Sequence, residues 1–142
     1  MFLLDTVVLS ELRKSQPSRF VLTWLGKQTQ NRLFVSVVSL GEIERGAEKQ
    51  RAVNPEFSTA LFRWLEVLQS NFADRILPVT PVIARKWGAL SAQLNRDDVD
   101  LLIAATAMTH GLTVATRNIK HFSPTGVKVI DPFVVPPRDS KG

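Results

Sequence analysis

The chain has 142 residues, of which 44% are hydrophobic and 22% charged, and its net charge is +5 at pH 7. This predicts a single globular domain, and the lack of cysteine excludes disulfide frameworks and thiolate zinc sites. The first residues lack a signal-peptide pattern and no apolar run approaches the ~20 residues of a membrane span, so we expect a cytoplasmic protein without membrane association. The basic charge favours a polyanionic partner such as nucleic acid, although it is also compatible with a role in solubility alone.

The first predicted element is a buried strand. Residues 2–4 are apolar and run directly into Asp5 and Thr6, so this strand would deliver a carboxylate to the edge of a sheet. Apolar residues at helical spacing follow over residues 7–13, with Asp5 or Thr6 as the cap. Pro17-Ser18 then interrupts the pattern and opens a second helix.

A second strand and two helices come next. Residues 33–38 are rich in β-branched side chains and predict another buried strand. Ser39 precedes Glu42 by three residues, which is the spacing of a capping box, so we expect a helix to begin at Ser39. A long helix with an apolar stripe then starts at Pro55, for which Asn54 is the predicted cap.

The second half of the chain repeats the alternation. Residues 75–79 predict a short strand that its proline confines to an edge or an end of the sheet, and a cap-plus-proline pair opens the next helix. Residues 99–110 are apolar on nearly every face, which is typical of a central buried helix. Strands are expected over residues 112–115 and 127–130. The alternation predicts an α/β fold with a parallel sheet between helix layers.

Three acids occupy similar junctions between a strand and a helix. Asp5 ends the first strand, Glu42 follows the second strand, and Asp100 lies in the first turn of the apolar helix. Carboxylates gathered without cations repel one another, whereas Mg²⁺ and Mn²⁺ bind such oxygen ligands. Each acid taken alone is explained equally well as a helix cap or a favourable dipole partner. Asp100 favours a site most, because it adjoins an otherwise apolar helix and needs compensation.

Four blocks of the sequence, in this order, resemble the PIN-domain ribonucleases, and in particular the VapC-type toxins with their FitB-like branch. These blocks are residues 2–6, 39–43, 100–107 and 113–118. The resemblance implies a three-layer α/β/α domain over residues 1–133 with a mostly parallel, roughly five-stranded sheet, followed by a flexible tail over residues 134–142.

The resemblance also implies a function. It implies the toxin of a toxin–antitoxin pair, acting as an endoribonuclease with one or two Mg²⁺ or Mn²⁺ ions. It implies a homodimer, inhibition by a small VapB-type antitoxin whose C-terminal segment covers the acidic pocket, and a higher assembly with that antitoxin. By position, Asp5, Glu42 and Asp100 match the catalytic metal ligands, while Thr6 and Thr116 match hydroxyls that orient ligands or waters.

Two positions depart from the family pattern. Relatives often carry asparagine where this chain has Val7, and often have a fourth acid where Asn118 or His121 stands. Asn118 is the better substitute, acting through a metal-bound water, because Mg²⁺ prefers oxygen to imidazole. A catalytically weak PIN-like module that binds RNA or protein therefore stays open as an alternative. Asp98 and its neighbour Asp97 are expected to cap the apolar helix and lie in solvent.

Several cations near the expected site are candidates for contacts with RNA phosphates, which would make binding fall steeply with salt. Each of them could equally be a solvated surface charge. These candidates are Arg13, Lys14, Arg45, Arg117 and Lys120.

Overall fold

A computed structural model describes residues 1–135 of the protein. Over these residues the strands are β1 (Phe2–Leu4), β2 (Leu33–Ser36), β3 (Ile76–Leu77), β4 (Thr113–Ala115) and β5 (Val129–Ile130). These five strands form one sheet in the order β3-β2-β1-β4-β5, and every strand pair is parallel. The predicted parallel α/β architecture is therefore confirmed.

Helices cover both faces of the sheet. They are α1 (Thr6–Arg13), α2 (Arg19–Gly26), α3 (Val37–Gln50), α4 (Pro55–Asn71), α5 (Pro81–Leu94), α6 (Asp100–His110) and α7 (Ile119–Phe122). Because side chains alternate along β1, Leu4 belongs to a core cluster with α1, α2, α3 and α4, whereas its neighbour Leu3 belongs to a second cluster with α6 and α7. A third cluster packs α5 against α6.

Most helix boundaries follow the predicted capping chemistry. The side chains of Ser18, Asn54 and Thr80 each accept a hydrogen bond from a backbone N–H in the first turn of α2, α4 and α5. Helix α6 ends at Gly111, whose φ of 67° is a conformation that glycine adopts without a steric penalty. The central position predicted for α6 is also confirmed, because six of its eleven residues are buried.

The start of α3 differs from the prediction. The strand ends at Ser36 and the helix begins at Val37, because the Ser36 hydroxyl accepts a hydrogen bond from the backbone N–H of Val38 and serves as the N-cap. The predicted capping box of Ser39 and Glu42 is therefore wrong. Both residues lie inside the helix, where their side chains are available for contacts with α1.

The other strands are shorter than predicted. Strand β3 has two residues at the edge of the sheet, as its proline requires, and β5 also has two. Within residues 1–135 no helix is long and apolar enough to cross a membrane. Most of the predicted tail, residues 136–142, lies outside the described residues. The domain boundary at residue 133 stays a prediction.

Candidate metal centre

Asp5 lies at the carboxyl end of the central strand and is 3% exposed. Its carboxylate accepts two hydrogen bonds of 2.8 Å, one at Oδ1 from the backbone N–H of Thr6 and one at Oδ2 from the Thr116 hydroxyl. The first bond makes Asp5 the N-cap of α1. The cap interpretation of Asp5 is thus correct, and the same carboxylate also belongs to the acidic group described below.

Glu42 reaches the same place from the second turn of α3. Its Oε1 accepts a hydrogen bond of 2.6 Å from the Thr6 hydroxyl, whose oxygen also lies 2.8 Å from Ser39 Oγ. Thr6 thus touches two members of the centre, because its backbone N–H binds Asp5 and its hydroxyl binds Glu42. Ser39 is buried beside this pair, and its role there replaces the cap role predicted from its spacing.

Asp100 completes the group from the first turn of α6, with a side chain that is 19% exposed. Asp5, Glu42 and Asp100 each offer a carboxylate oxygen, and these oxygens lie within 4.8 Å of one another. Residues that are 37 and 58 positions apart in the sequence are therefore brought together at one edge of the sheet. The positions of the strand ends suggested this convergence, and the structure establishes it.

The three acids hold protons more tightly than acids in water. Burial raises the pKa of Asp5 to about 6, and repulsion from Asp100 and Glu42 adds to the effect, while hydrogen bonds from Thr116 and Thr6 oppose it. Burial also raises the pKa of Glu42 and that of Asp100. A divalent cation would remove the repulsion that these carboxylates share, and three carboxylate oxygens suit a hard ion. The residues present therefore fit a divalent metal.

A second group of ligand-type side chains adjoins the first and shares Asp100. Asp98, Asp100 and His121 also offer atoms within 4.8 Å of one another. His121 Nε2 lies 3.0 Å from Asp98 Oδ2 and 3.2 Å from Asp100 Oδ2. Arg96 binds Asp98 through two hydrogen bonds of 2.9 and 3.0 Å. Asp98 is thus paired with the guanidinium of Arg96 and lies beside the His121 imidazole, and the expectation that it merely caps the helix in solvent is wrong.

This second group was not found from the sequence, because it depends on a contact between residues 23 positions apart. The available signal was the pair Arg96 and Asp98 in a polar segment, followed by a histidine at a position where relatives have an acid. Asn118, the predicted water-mediated ligand, is exposed, and its backbone N–H donates to Thr116 Oγ1 at 2.9 Å. Its role at a metal stays a prediction.

Three of the five candidate RNA contacts have partners in the structure, and the first two of these are Arg13 and Lys14. The guanidinium of Arg13 lies 4.9 Å from the centre of the Phe57 ring, and Arg13 Nε is buried. Lys14 Nζ lies 2.7 Å from a carboxylate oxygen of Glu11. These contacts engage both cations within the fold, which makes them weaker candidates for a phosphate.

The other three candidates are exposed. Arg45 lies one helical turn after Glu42 in α3, and its charge lowers the pKa of Glu42 against the larger effect of burial. Arg117 stacks on Phe133 at 3.8 Å, and it lines an open pocket of about 580 Å³ together with Lys120. His121 lines the same pocket, so this basic surface adjoins the acidic centre.

The fold and this acid geometry agree with comparisons with known proteins. The family model described as "PIN domain" matches residues 2–126. The chain therefore belongs to the PIN-domain family. Within that family it is 36% identical to "VapC ribonuclease Y4jK" of Sinorhizobium fredii, over 94% of this chain and 98% of that protein. It is also 31% identical to "Toxin FitB" of Neisseria gonorrhoeae, over 94% of this chain and 99% of that protein.

Solved structures give the same result. The crystal structure of FitAcB from Neisseria gonorrhoeae matches 95% of this chain and 100% of the compared chain, with 31% identity and a TM-score of 0.82. FitAB bound to an IR36 DNA fragment matches 98% and 100%, with 29% identity and a TM-score of 0.81. The resemblance to VapC-type and FitB-like toxins that the four sequence blocks predicted is confirmed.

Proposed function

We propose that this protein is the toxin of a toxin–antitoxin pair and cleaves RNA as a metal-dependent endoribonuclease. The observation that carries the proposal is the convergence of three acids from β1, α3 and α6, with carboxylate oxygens within 4.8 Å of one another. The similarity to a VapC ribonuclease and to the toxin FitB supports the same activity. An RNA substrate in turn favours the cytoplasm as the place of action.

We assign the roles of metal ligands to Asp5, Glu42 and Asp100. Their all-oxygen donor set favours Mg²⁺ or Mn²⁺. When bound, such an ion supplies an activated water and stabilises negative charge on the phosphate. Thr6 would hold the Glu42 carboxylate in place, and Thr116 would hold that of Asp5, through the hydrogen bonds of 2.6 and 2.8 Å. Both hydroxyls act on ligand orientation and transfer no proton to the substrate.

The proposal is tested by RNA cleavage with Mg²⁺, with Mn²⁺ and with chelator, for the wild type and for Asp5→Asn and Asp100→Asn. Asp97→Asn is the matched control, because Asp97 is exposed and lies three positions before Asp100. We expect cleavage by the wild type and by Asp97→Asn alone, and only with metal. Equal activity in all four proteins would contradict the assignment. RNA binding without cleavage in the wild type would favour the non-catalytic module instead.

We also propose where an antitoxin contributes apolar contacts. An apolar groove of about 600 Å³ lies between α2 and the segment after β5, lined by Phe20, Trp24, Ile130, Val134 and other residues. Phe20 and Val134 are 43% and 54% exposed. The similarity to "Toxin FitB" and to the solved structures of FitAcB and FitAB supports a partner of this kind. A homodimer that assembles further with the antitoxin stays a prediction.

The groove is tested by co-purification with the product of the neighbouring reading frame. Phe20→Asp should reduce the amount of retained partner at least tenfold, because it places a charge in the apolar contact. Val82→Asp is the control, since Val82 is also exposed, at 64%, but lies on α5. Equal retention by both variants would place the partner elsewhere.

A further inference from the structure

A guanidinium adjoins the group that Asp98, Asp100 and His121 form. Arg96 Nε and Nη2 donate to the two carboxylate oxygens of Asp98 at 2.9 and 3.0 Å, a bidentate pairing. Nη2 also lies 2.9 Å from His121 Nε2, and Nη1 donates to the backbone carbonyl of His121 at 2.8 Å. All three guanidinium nitrogens are therefore engaged, and the group is fixed in place.

This arrangement joins two separate parts of the chain next to the centre. Arg96 and Asp98 lie in the segment between α5 and α6, while His121 lies in α7. His121 Nε2 is in turn 3.2 Å from Asp100 Oδ2, so the fixed group reaches the carboxylate through the imidazole. Burial raises the pKa of Asp100, while His121 and, to a smaller extent, Arg96 act in the opposite direction.

A second metal ion beside Asp100 would have to use the same groups. Asp98 and His121 are the other side chains among residues 1–135 that form a ligand-type cluster with Asp100 on this side. An ion bound to Asp98 Oδ2 at ~2.1 Å would lie within ~5 Å of Arg96 Nη2 and would be repelled by a permanent positive charge. It would also have to break the bidentate pairing. The guanidinium thus opposes a second ion by both charge and geometry.

We propose that Arg96 is a positioning residue that keeps a second metal ion away from the group of Asp98, Asp100 and His121, so that the centre binds a single divalent cation through Asp5, Glu42 and Asp100. Enzymes with two metals place them about 3.5–4 Å apart. Here the guanidinium is paired with Asp98 and lies beside His121, and a second ion next to Asp100 would need both of these side chains. This inference rests on the proposed metal centre, and it concerns the number of ions that the centre holds.

The experiment is a titration of the metal-free protein with Mn²⁺, followed by calorimetry and by the electron paramagnetic resonance signal of free Mn²⁺. We expect one ion for the wild type. Two ions with affinities within tenfold of each other would overturn the inference while leaving the metal centre intact. No bound ion would instead overturn the proposed metal centre. Failure of the two claims can therefore be distinguished.

Three variants sharpen the titration. Arg96→Gln removes the charge and frees Asp98 and His121, so we expect a second, weaker Mn²⁺ site and a rate that depends on metal concentration with an order above one. Arg96→Lys keeps the charge and should retain one ion. Arg85→Gln, an exposed arginine of α5, is the matched control and should also bind one ion. Thermal unfolding identifies any variant that fails to fold.

One result with the variants would contradict the inference directly. If folded Arg96→Gln binds a single Mn²⁺ ion with the affinity and cleavage rate of the wild type, the guanidinium does not exclude a second ion. If Arg96→Gln does not fold, the single-ion stoichiometry of the wild type and of Arg96→Lys still tests the claim.

Discussion

The two sides of Asp100 differ in how their negative charge is compensated. On one side Asp5 is buried, its charged neighbours are Glu42 and Asp100, and its pKa is raised to about 6. On the other side Asp98 receives two hydrogen bonds from Arg96, which hold its pKa below the usual value of an aspartate. Asp5 and Glu42 thus need a cation from solution to compensate their charge, while Asp98 is already compensated by the guanidinium of Arg96. The difference shows that a cluster of acids indicates a metal only where the fold leaves the charge uncompensated.

The largest expected effect is a difference in RNA cleavage rate between a variant of Asp5 and a variant of Asp98, one from each side of Asp100. Asp5→Asn should lower the rate of RNA cleavage by roughly 10²- to 10⁴-fold, since it removes a metal ligand that stabilises charge in the transition state. Asp98→Asn should cost less than about tenfold, because it weakens a pairing beside the centre and removes no ligand. Single-turnover cleavage rates at saturating Mn²⁺ measure both. Equal losses would mean that the two sides do not differ in function.

The next largest effect is on the pH dependence of the free energy of unfolding, in which Asp5 and Asp98 should differ in sign. Asp5 ionises near its usual value of 3.8 in the unfolded chain and at about 6 in the folded chain, so the folded state binds more protons between these values. Stability contributed by this group therefore falls as pH rises from about 4 to about 6, by about 2–3 kcal/mol in metal-free protein. Asp98 acts in the opposite direction, because its pKa is lowered and its contribution is lost as pH falls.

Urea unfolding with chelator, at pH 4.5 and pH 7, measures the difference between wild type and Asp5→Asn. The wild type should lose stability relative to the variant as pH rises. Adding Mn²⁺ at 100 times its dissociation constant should return about 2.7 kcal/mol at pH 7 in the wild type. A wild type and an Asp5→Asn variant with parallel pH profiles would show that Asp5 has an ordinary pKa.

The hydroxyl beside Asp5 should have a smaller effect. Thr116→Val removes the hydrogen bond of 2.8 Å that stabilises the charged form of Asp5, so metal affinity should fall about 10- to 100-fold. The loss should be larger at pH 6 than at pH 8, because at pH 6 protons compete better with the metal for Asp5. Thr116→Ser keeps the hydroxyl and serves as the control in Mn²⁺ titrations at both pH values. An equal loss in the serine variant would assign the effect to packing.

The smallest expected effect concerns the exposed cation nearest Glu42. In an inactive Asp100→Asn background, Arg45→Gln should reduce the slope of log affinity for RNA against log salt by about 0.7, the change for one lost phosphate contact on a single strand. Arg85→Gln, on α5, should leave the slope unchanged. Filter binding between 50 and 300 mM salt gives both slopes. An unchanged slope for Arg45→Gln would make Arg45 a solvated surface charge.

The fold and the three acids were predictable for local reasons. The hydrophobic run before Asp5 and the apolar faces of α6 determine a buried strand and a central helix, and parallel strands place their carboxyl ends together. The beginning of α3 was not predictable from spacing, because Ser36 and Ser39 can both cap a helix and the strand pairing of Leu33–Ser36 decides between them. Side-chain partners such as Thr6 for Glu42 depend on how α1 and α3 pack.

The group of Arg96, Asp98 and His121 shows more clearly that sequence spacing does not predict contacts that depend on how helices pack. Imidazole is a poor ligand for Mg²⁺, so affinity for a metal gives no reason to expect His121 beside the acids. Its contacts with Asp98, Asp100 and Arg96 arise because α7 follows β4 directly and comes to lie beside the start of α6. Sequence spacing carries no information about this packing, so the cation beside the acids was found only from the structure.

The most direct test of the metal centre is the position of Mn²⁺ in crystals of the wild-type protein grown with that ion and measured near the manganese absorption edge. We expect one anomalous peak within bonding distance of carboxylate oxygens of Asp5, Glu42 and Asp100, with Arg96 still paired to Asp98. A peak bound by Asp98 and His121, with none among the three acids, would contradict the proposed centre.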